Sequence, residues 1–500
     1  MIVKQKYFPI LLSVLALVVG AFFVLVRQSA FAVESTMETE TKLAKFEPLE
    51  AFPGGQATSK KSTNNRNAFS HSSGNMPFSK ELLFKVGNGL FRKLWVSSPA
   101  STKSSDGLGP LFNARSCQRC HLKDGRGHPP RANWPEDDQI SMFLRLSVTP
   151  SNKAELALLK SGRATVIPEP TYGGQLQDLS VQGHDGEGRM HITYSPFKVR
   201  YADGHEVELR RPHYKVTNLG FGPLHKNAMM SPRVTPQMIG LGLLEAIPAD
   251  NILARVDEAD KDGDGISGRA NWVWSVEHDK LMLGRFGWKA GMPSLKEQSA
   301  GAFAGDIGLS TSLFPAPAGD CTERQEFCRK APHGAAQGQP EVTDEMLNLV
   351  VFYAQNLAVP KRRAPQSEPV LKGKHLFHKI GCASCHTPKF VTGDLPKNAH
   401  LSNQTIWPYT DLLLHDMGEG LADNRPEGKA SGREWRTPPL WGVGLTKTVS
   451  GHEFLLHDGR ARSIEEAILW HGGEAQKAQE AFRALSKIER DWLIAFVRSL

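Results

Sequence analysis

The chain lacks any block of a single charge. Its 60 lysines and arginines exceed its 52 aspartates and glutamates by eight, and they are spread along the sequence. No basic run interleaved with aromatics occurs, so the usual footprint of nucleic-acid binding is missing. Cysteine is also scarce, at six in 500 residues. At that content a chance match to a cysteine motif is rare, so any such motif carries weight. What is present, 40% hydrophobic and 22% charged residues, is the composition of a folded globular protein with ample core. The length allows two or three domains.

The first residues, Met1-Ile-Val-Lys-Gln-Lys, are basic. An uncharged apolar run follows from Tyr7 to Val26, and then Ala30-Phe31-Ala32. This is the order of an export signal, cleaved after Ala32 or kept as an N-terminal membrane anchor. Either outcome places the rest of the chain in an oxidising compartment, the periplasm. Cys321 and Cys328 then read as a local disulfide in a Pro/Gly-rich stretch.

Residues 33–75 are polar, with few aliphatics, and read as a flexible lead-in. Residues 139–149 alternate as a strand. Met190 to Val216 reads as a hairpin turning at Asp203-Gly204. Thr343 caps a helix whose apolar face is Met346, Leu347, Val350, Ala354 and Leu357, ending before Pro360. Residues 359–369 look like a basic, Pro-rich linker. The expected division is therefore an N-terminal domain over 76–358 and a C-terminal one over 370–500. In the second, Ser463-Ile-Glu-Glu466 is a capping box opening a helix toward His471. Ser486 opens the last helix, with Ile488, Trp492, Phe496 and Leu500 as its buried stripe.

Cys117-Gln-Arg-Cys120-His121 and Cys382-Ala-Ser-Cys385-His386 are both C-x-x-C-H. This is the c-type haem signature: two thiols add to the two vinyl groups of one porphyrin, and the adjacent His lies under the iron. Two covalently bound haems c follow, with Cys117, Cys120, Cys382 and Cys385 as attachment points and His121 and His386 as iron ligands. Each iron has a second axial position. For the second haem the candidate is His471, which shares a helix face with Ile464 and Ile468. Met417, His457 and His415 are its rivals. For the first haem no ligand stands out among His128, His184, His191, His205, His213 and His225.

Asp260-Lys-Asp262-Gly-Asp264-Gly-Ile266 has oxygen donors at loop positions 1, 3 and 5 and a glycine at 6, like the first half of a calcium loop. The bidentate Glu expected at 12 is absent, since Asn271 stands there. Asp260, Asp262 and Asp264 are the candidate Ca2+ ligands.

Taken together, several stretches resemble the dihaem oxidoreductase family, also labelled thiol oxidoreductases, related to the bacterial dihaem cytochrome c peroxidases. They include Gly107-Leu-Gly-Pro-Leu-Phe-Asn-Ala-Arg-Ser-Cys117, Gly240-Leu-Gly-Leu-Leu-Glu-Ala-Ile-Pro248, Gly284-Arg-Phe-Gly-Trp-Lys-Ala290, Arg433-Glu-Trp-Arg-Thr-Pro-Pro-Leu-Trp441 and Phe454-Leu-Leu-His-Asp-Gly-Arg460. The resemblance covers roughly residues 75–500. It implies a mainly α fold of two cytochrome-c-like haem domains, the first enlarged by a small antiparallel β element. By the peroxidases' motif order, His471 falls where they usually carry a Met, which implies a bis-His second haem of lower potential. The resemblance also implies an amide and a carboxylate over the first haem, here Gln298 and Asp306, with Glu245 and Glu297 as rivals. Asp replaces Glu at 306, and the spacing is shorter by two.

The implied activity is that of a periplasmic dihaem oxidoreductase of peroxidase type. Electrons from a donor protein or small reductant would enter at the second haem and reach peroxide or another small substrate at the first. The alternative is a dihaem electron carrier without catalysis of its own.

Overall fold

The computed structural model describes residues 45–62, 64–138, 141–335 and 338–500. The expected signal or anchor segment, 1–32, lies outside the described residues. Among those described, no helix is long and apolar enough to cross a membrane.

Two helix pairs organise the molecule. Helix α1 (Glu81–Arg92) precedes the first C-x-x-C-H, whose cysteines bound the single turn α2 (Cys117–Cys120). Further on, α3 (Leu295–Ala302) runs into a π-helical turn, Phe303–Ile307. Helix α4 (Asp344–Gln355), capped by Thr343 Oγ1 accepting from Met346 N, packs on α1. Helix α5 (Glu368–Lys379) precedes the second C-x-x-C-H. The short α6 (Ile464–Leu469) leads to His471, and α7 (Lys487–Ser499) packs on α5.

The two pairs cross in the same way. A Cβ on Gly87 would stand 2.3 Å from Leu349 O, and one on Gly373 would stand 1.9 Å from Trp492 O. Only glycine lets the backbones approach this closely. Four residues on, Phe91 and Phe377 are 3% and 2% exposed. Burying each ring stabilises the fold by about 2–3 kcal/mol. Phe91 lies 6.0 Å from the His121 ring, and Phe377 lies 6.3 Å from that of His386. A repeated Gly-x-x-Leu-Phe, at 87–91 and 373–377, therefore sets a helix crossing and a motif histidine in each half.

The β structure is more extensive than expected. Strand β1 (Met142–Ser147) pairs with β4 (Met229–Val234), and between them runs a hairpin of β2 (Arg189–Arg200) and β3 (Glu206–Thr217). The hairpin turns at Asp203-Gly204, where Gly204 has φ +85°. Seven two-stranded sheets occur in all among the described residues.

Three expectations are corrected. The chain is not a mainly α pair of cytochrome-c-like domains: among the described residues 31% are helical and 17% are strand. Its 46 glycines and 32 prolines break the chain into short elements, because one costs helix entropy and the other removes a donor. Residues 45–75 are not a loose lead-in. Ala68 and Phe69 are fully buried in the larger apolar core, and Glu50 is buried against Lys374, Arg362 and Tyr409. In α7 the expected stripe holds only in part: Phe496 and Leu500 are buried, but Ile488 is 54% exposed, and Leu493 and Val497 are buried beside them. A strict four-residue spacing drifts round a helix of 3.6 residues per turn, so such a stripe cannot stay on one face.

Both large cores draw on residues either side of 359–369. One joins Phe69, Leu244 and Tyr353 to Phe390 and Trp441. The other joins Met142, Leu209 and Trp288 to Phe377 and Phe496. The cavity described next lies where the two meet.

Candidate functional site

A cavity of about 850 Å3 is lined by both C-x-x-C-H segments. The first enters through α2. His121 Nδ1 lies 2.9 Å from Pro236 O. A carbonyl can only accept, so the proton sits on Nδ1 and Nε2 keeps its lone pair. Burial lowers the His121 pKa to about 4 and holds the ring neutral, the form that binds a metal.

The second motif repeats this arrangement. His386 Nδ1 lies 3.0 Å from Tyr409 O, and burial again lowers its pKa to about 4. His471 lines the same cavity with its helix neighbours Ile464, Ala467 and Ile468. Its Nδ1 lies 2.7 Å from Ala467 O. Ser463 begins this helix by accepting from Glu466 N, and the chain leaves it at Trp470. His386 and His471 thus both offer Nε2 to one space, and they are near enough for a charge on one to depress the other's pKa.

The rivals are placed differently. Met417 lines the cavity. His415 has both nitrogens engaged, Nε2 with Asp411 at 2.8 Å and Nδ1 with Glu474 at 2.7 Å. Burial opposes charge on His415, but the two carboxylates hold its pKa well above the usual value. A protonated ring has no lone pair for a metal. His457 stacks on Trp435 at 3.8 Å, with Nε2 buried and without a hydrogen-bond partner.

Near the first motif, Gln298, Ser299, Ala302, Phe303 and Asp306 form one wall. Asp306 sits in the π-helical turn, a widened geometry common at functional sites. Burial raises its pKa, against the charge of Arg145 and a hydrogen bond from Gln175. Burial raises the thiols of Cys117 and Cys120, and the charge of Asp306 beside them raises them further. Glu245 is not on the wall. Its carboxylate accepts from Leu295 N at 2.7 Å and Gln355 Nε2 at 2.6 Å, and so holds the start of the helix carrying Gln298. Glu297 is likewise turned away, accepting from Ser275 Oγ and Val276 N.

Arg145, Arg233 and Arg425 also face the cavity. Glu427 bridges the last two at 2.7 and 2.8 Å. Burial opposes its charge, but the guanidiniums keep its pKa far below the usual range. This leaves a cationic wall of the kind that takes carboxylates. None of these arginines lies in a motif, and nothing local in the sequence marks them.

The Asp260, Asp262 and Asp264 carboxylates gather within 4.8 Å of one another. Asn271, at the twelfth loop position, is buried elsewhere, donating to Lys289 O and Glu427 O. The loop is tied to the segment after His471. Ser267 Oγ donates to Glu474 Oε1 at 2.6 Å, and Lys477 Nζ to Asp264 O at 2.8 Å. Cys321 and Cys328 form the expected disulfide.

The donor set fits two haems. Three half-buried imidazoles have Nδ1 committed and Nε2 left over, two thiol pairs adjoin two of them, and a cationic wall awaits carboxylates. Among solved structures, the chain is similar to the hydrazine synthase of Kuenenia stuttgartiensis, with 13% identity over 71% of this chain and 90% of that one. The TM-score is 0.25, too low to carry an argument. No curated protein matches. The family model described as "Di-haem oxidoreductase, putative peroxidase" matches residues 50–500. With nine-tenths of its length covered by that match, the chain belongs to the di-haem oxidoreductase family.

Proposed function

We propose that the protein is an exported, periplasmic c-type dihaem peroxidase that reduces peroxide at the N-terminal haem. The observation that supports this is the asymmetry of one shared cavity. The second motif faces a histidine, His471, whereas the first motif's wall carries a carboxylate and an amide, Asp306 and Gln298.

Cys117 and Cys120 would hold one porphyrin and Cys382 and Cys385 the other by thioether bonds, with His121 and His386 as nitrogen donors to the irons. The bound haems supply the redox centres and the electron path between them. His386 and His471 together give the second site two neutral nitrogen donors, which suits electron entry. Arg145, Arg233 and Arg425 suit the porphyrin carboxylates. Gln298 orients the peroxide. Asp306 would take a proton from one peroxide oxygen and return it to the other as the O–O bond breaks. Two electrons from a one-electron donor and two protons complete the reduction to two waters. Glu245 supports Gln298 through Leu295. The Asp260–Asp264 loop holds a calcium ion and steadies the segment after His471. The N-terminal apolar run exports the chain or anchors it to the membrane.

Optical and EPR spectra of the oxidised and half-reduced protein test this reading, together with peroxide turnover by an artificial reductant. A high-spin haem in one of these states and steady peroxide consumption are expected. Two low-spin haems in every state, with no turnover, would replace it with the electron-carrier reading. Acid–acetone extraction should leave both haems on the protein.

A further inference from the structure

Asp306 is gripped from two sides by residues outside any haem motif. Its backbone carbonyl accepts from Asn113 N at 2.9 Å and Ala114 N at 3.0 Å, just ahead of Cys117. Its Oδ1 accepts from Gln175 Nε2 at 2.9 Å. The same Nε2 bonds Asn113 Oδ1, and Asn113 Nδ2 donates to Leu176 O and Asp178 Oδ1, both at 2.8 Å. Gln175 is 1% exposed and Asn113 3%. Gln175 Oε1 is buried without a partner. Turning the amide over would set that oxygen against the oxygens of Asp306 and Asn113, so only one orientation avoids repulsion.

Gln175 is itself fixed. Residues 174–176 lie against β1, through Leu146 N to Gly174 O at 2.8 Å and Leu176 N to Leu144 O at 2.9 Å. Asp320 Oδ2 accepts from Gly174 N at 2.6 Å and Gln175 N at 3.1 Å. Asp320 adjoins Cys321, and the Cys321–Cys328 loop is docked by Thr322 Oγ1 on Thr171 O at 2.8 Å.

We propose that Gln175 is the positioning residue for Asp306, aiming its carboxylate into the cavity, and that Asp320 and the disulfide-closed loop hold Gln175 in place. The inference rests on the acid–base reading of Asp306 given above. The charged and titratable groups around Asp306 are Arg145 from β1 and the thiols of Cys117 and Cys120 from α2. Asp178 and Asp320 bind the same amide cluster. Gln175 supplies the hydrogen bond that favours the ionised carboxylate. Losing it raises the pH at which Asp306 can accept a proton.

The test uses the haem-loaded protein and the variants Gln175→Leu, Gln175→Asn and Asp306→Asn. Asparagine keeps the amide but is too short to reach Asp306, so it covers the case in which leucine fails to fold. The readouts are peroxide turnover across pH and a pH titration of the ferric optical spectrum. Both Gln175 variants should lose about tenfold or more in kcat, the scale of a hydrogen bond to a charged group. Their acid limb should move to higher pH in both readouts, while the low-spin signal of the C-terminal haem stays unchanged. Unmoved limbs and unmodified kcat in the Gln175 variants, beside an inactive Asp306→Asn, would overturn this inference alone. An Asp306→Asn protein as active as the unmodified one would overturn the acid–base reading and this inference with it.

Discussion

Lys289 Nζ lies 2.9 Å from Asp423 Oδ1, and neither side chain is exposed at all. Trp435 covers the pair, with Nζ 4.4 Å from its ring centroid. Removing one partner strands the other charge away from water. Lys289→Met or Asp423→Asn should therefore cost about 3–5 kcal/mol. Denaturant unfolding monitored by tryptophan fluorescence would show it. The double variant Lys289→Met, Asp423→Leu should recover much of the loss, because no unpaired charge remains.

His471 is expected to be the sixth ligand of the C-terminal haem. Replacing it with alanine should turn that haem high-spin and raise its potential, since a neutral donor to the ferric iron is lost. The N-terminal haem's spectrum should not move. EPR of the oxidised variant distinguishes the two sites. A change confined to the N-terminal haem would reassign the ligand.

Glu187 gives a pH signature. Burial raises its pKa from 4.5 to about 8, although Gln177 N and Gln325 Nε2 both donate to it. Between those two pH values the folded protein holds a proton that the unfolded chain has released. Stability should therefore fall as pH rises from 4.5 to 8, by at most about 1.4 kcal/mol per pH unit from this group. Glu187→Gln should flatten that slope. Thermal melts at several pH values would measure it.

Calcium should bind at the Asp260–Asp264 loop. Millimolar Ca2+ should raise the Tm and excess chelator should reverse it, as for any ligand specific to the folded state. Asp262→Asn with Asp264→Asn should abolish the shift. An unmodified Ca2+ response in that double variant would assign the effect to another site.

What the sequence made legible is local. Thr343, Ser463 and Ser486 cap helices through bonds that span three residues, and Asp203-Gly204 turns a hairpin on itself. The two C-x-x-C-H segments are likewise short, and so are the aspartates of the acidic loop. The hold on Asp306 is of another kind. Gln175 reaches it across 131 positions and bonds Asn113 across 62, and no pattern within a helix or strand announces such partners. The repeated Gly-x-x-Leu-Phe was readable, but its meaning depends on a helix that crosses it more than a hundred residues later.

Polar composition misled at residues 45–75. Glu50 looks like a solvated acid until Arg362, Lys374 and Tyr409 close around it. Glu245 and Glu297 misled for the same reason. A carboxylate that completes another element's backbone bonding has the same letter as one facing a substrate.

The two apolar cores each take residues from both halves of the chain. Splitting the gene at residues 359–369 should yield two fragments that fold only together, not two independent haem proteins. The unmodified chain should also lose both haem environments in a single melting step. Damage near one redox centre would then register at the other through shared stability, with no electron passing between them.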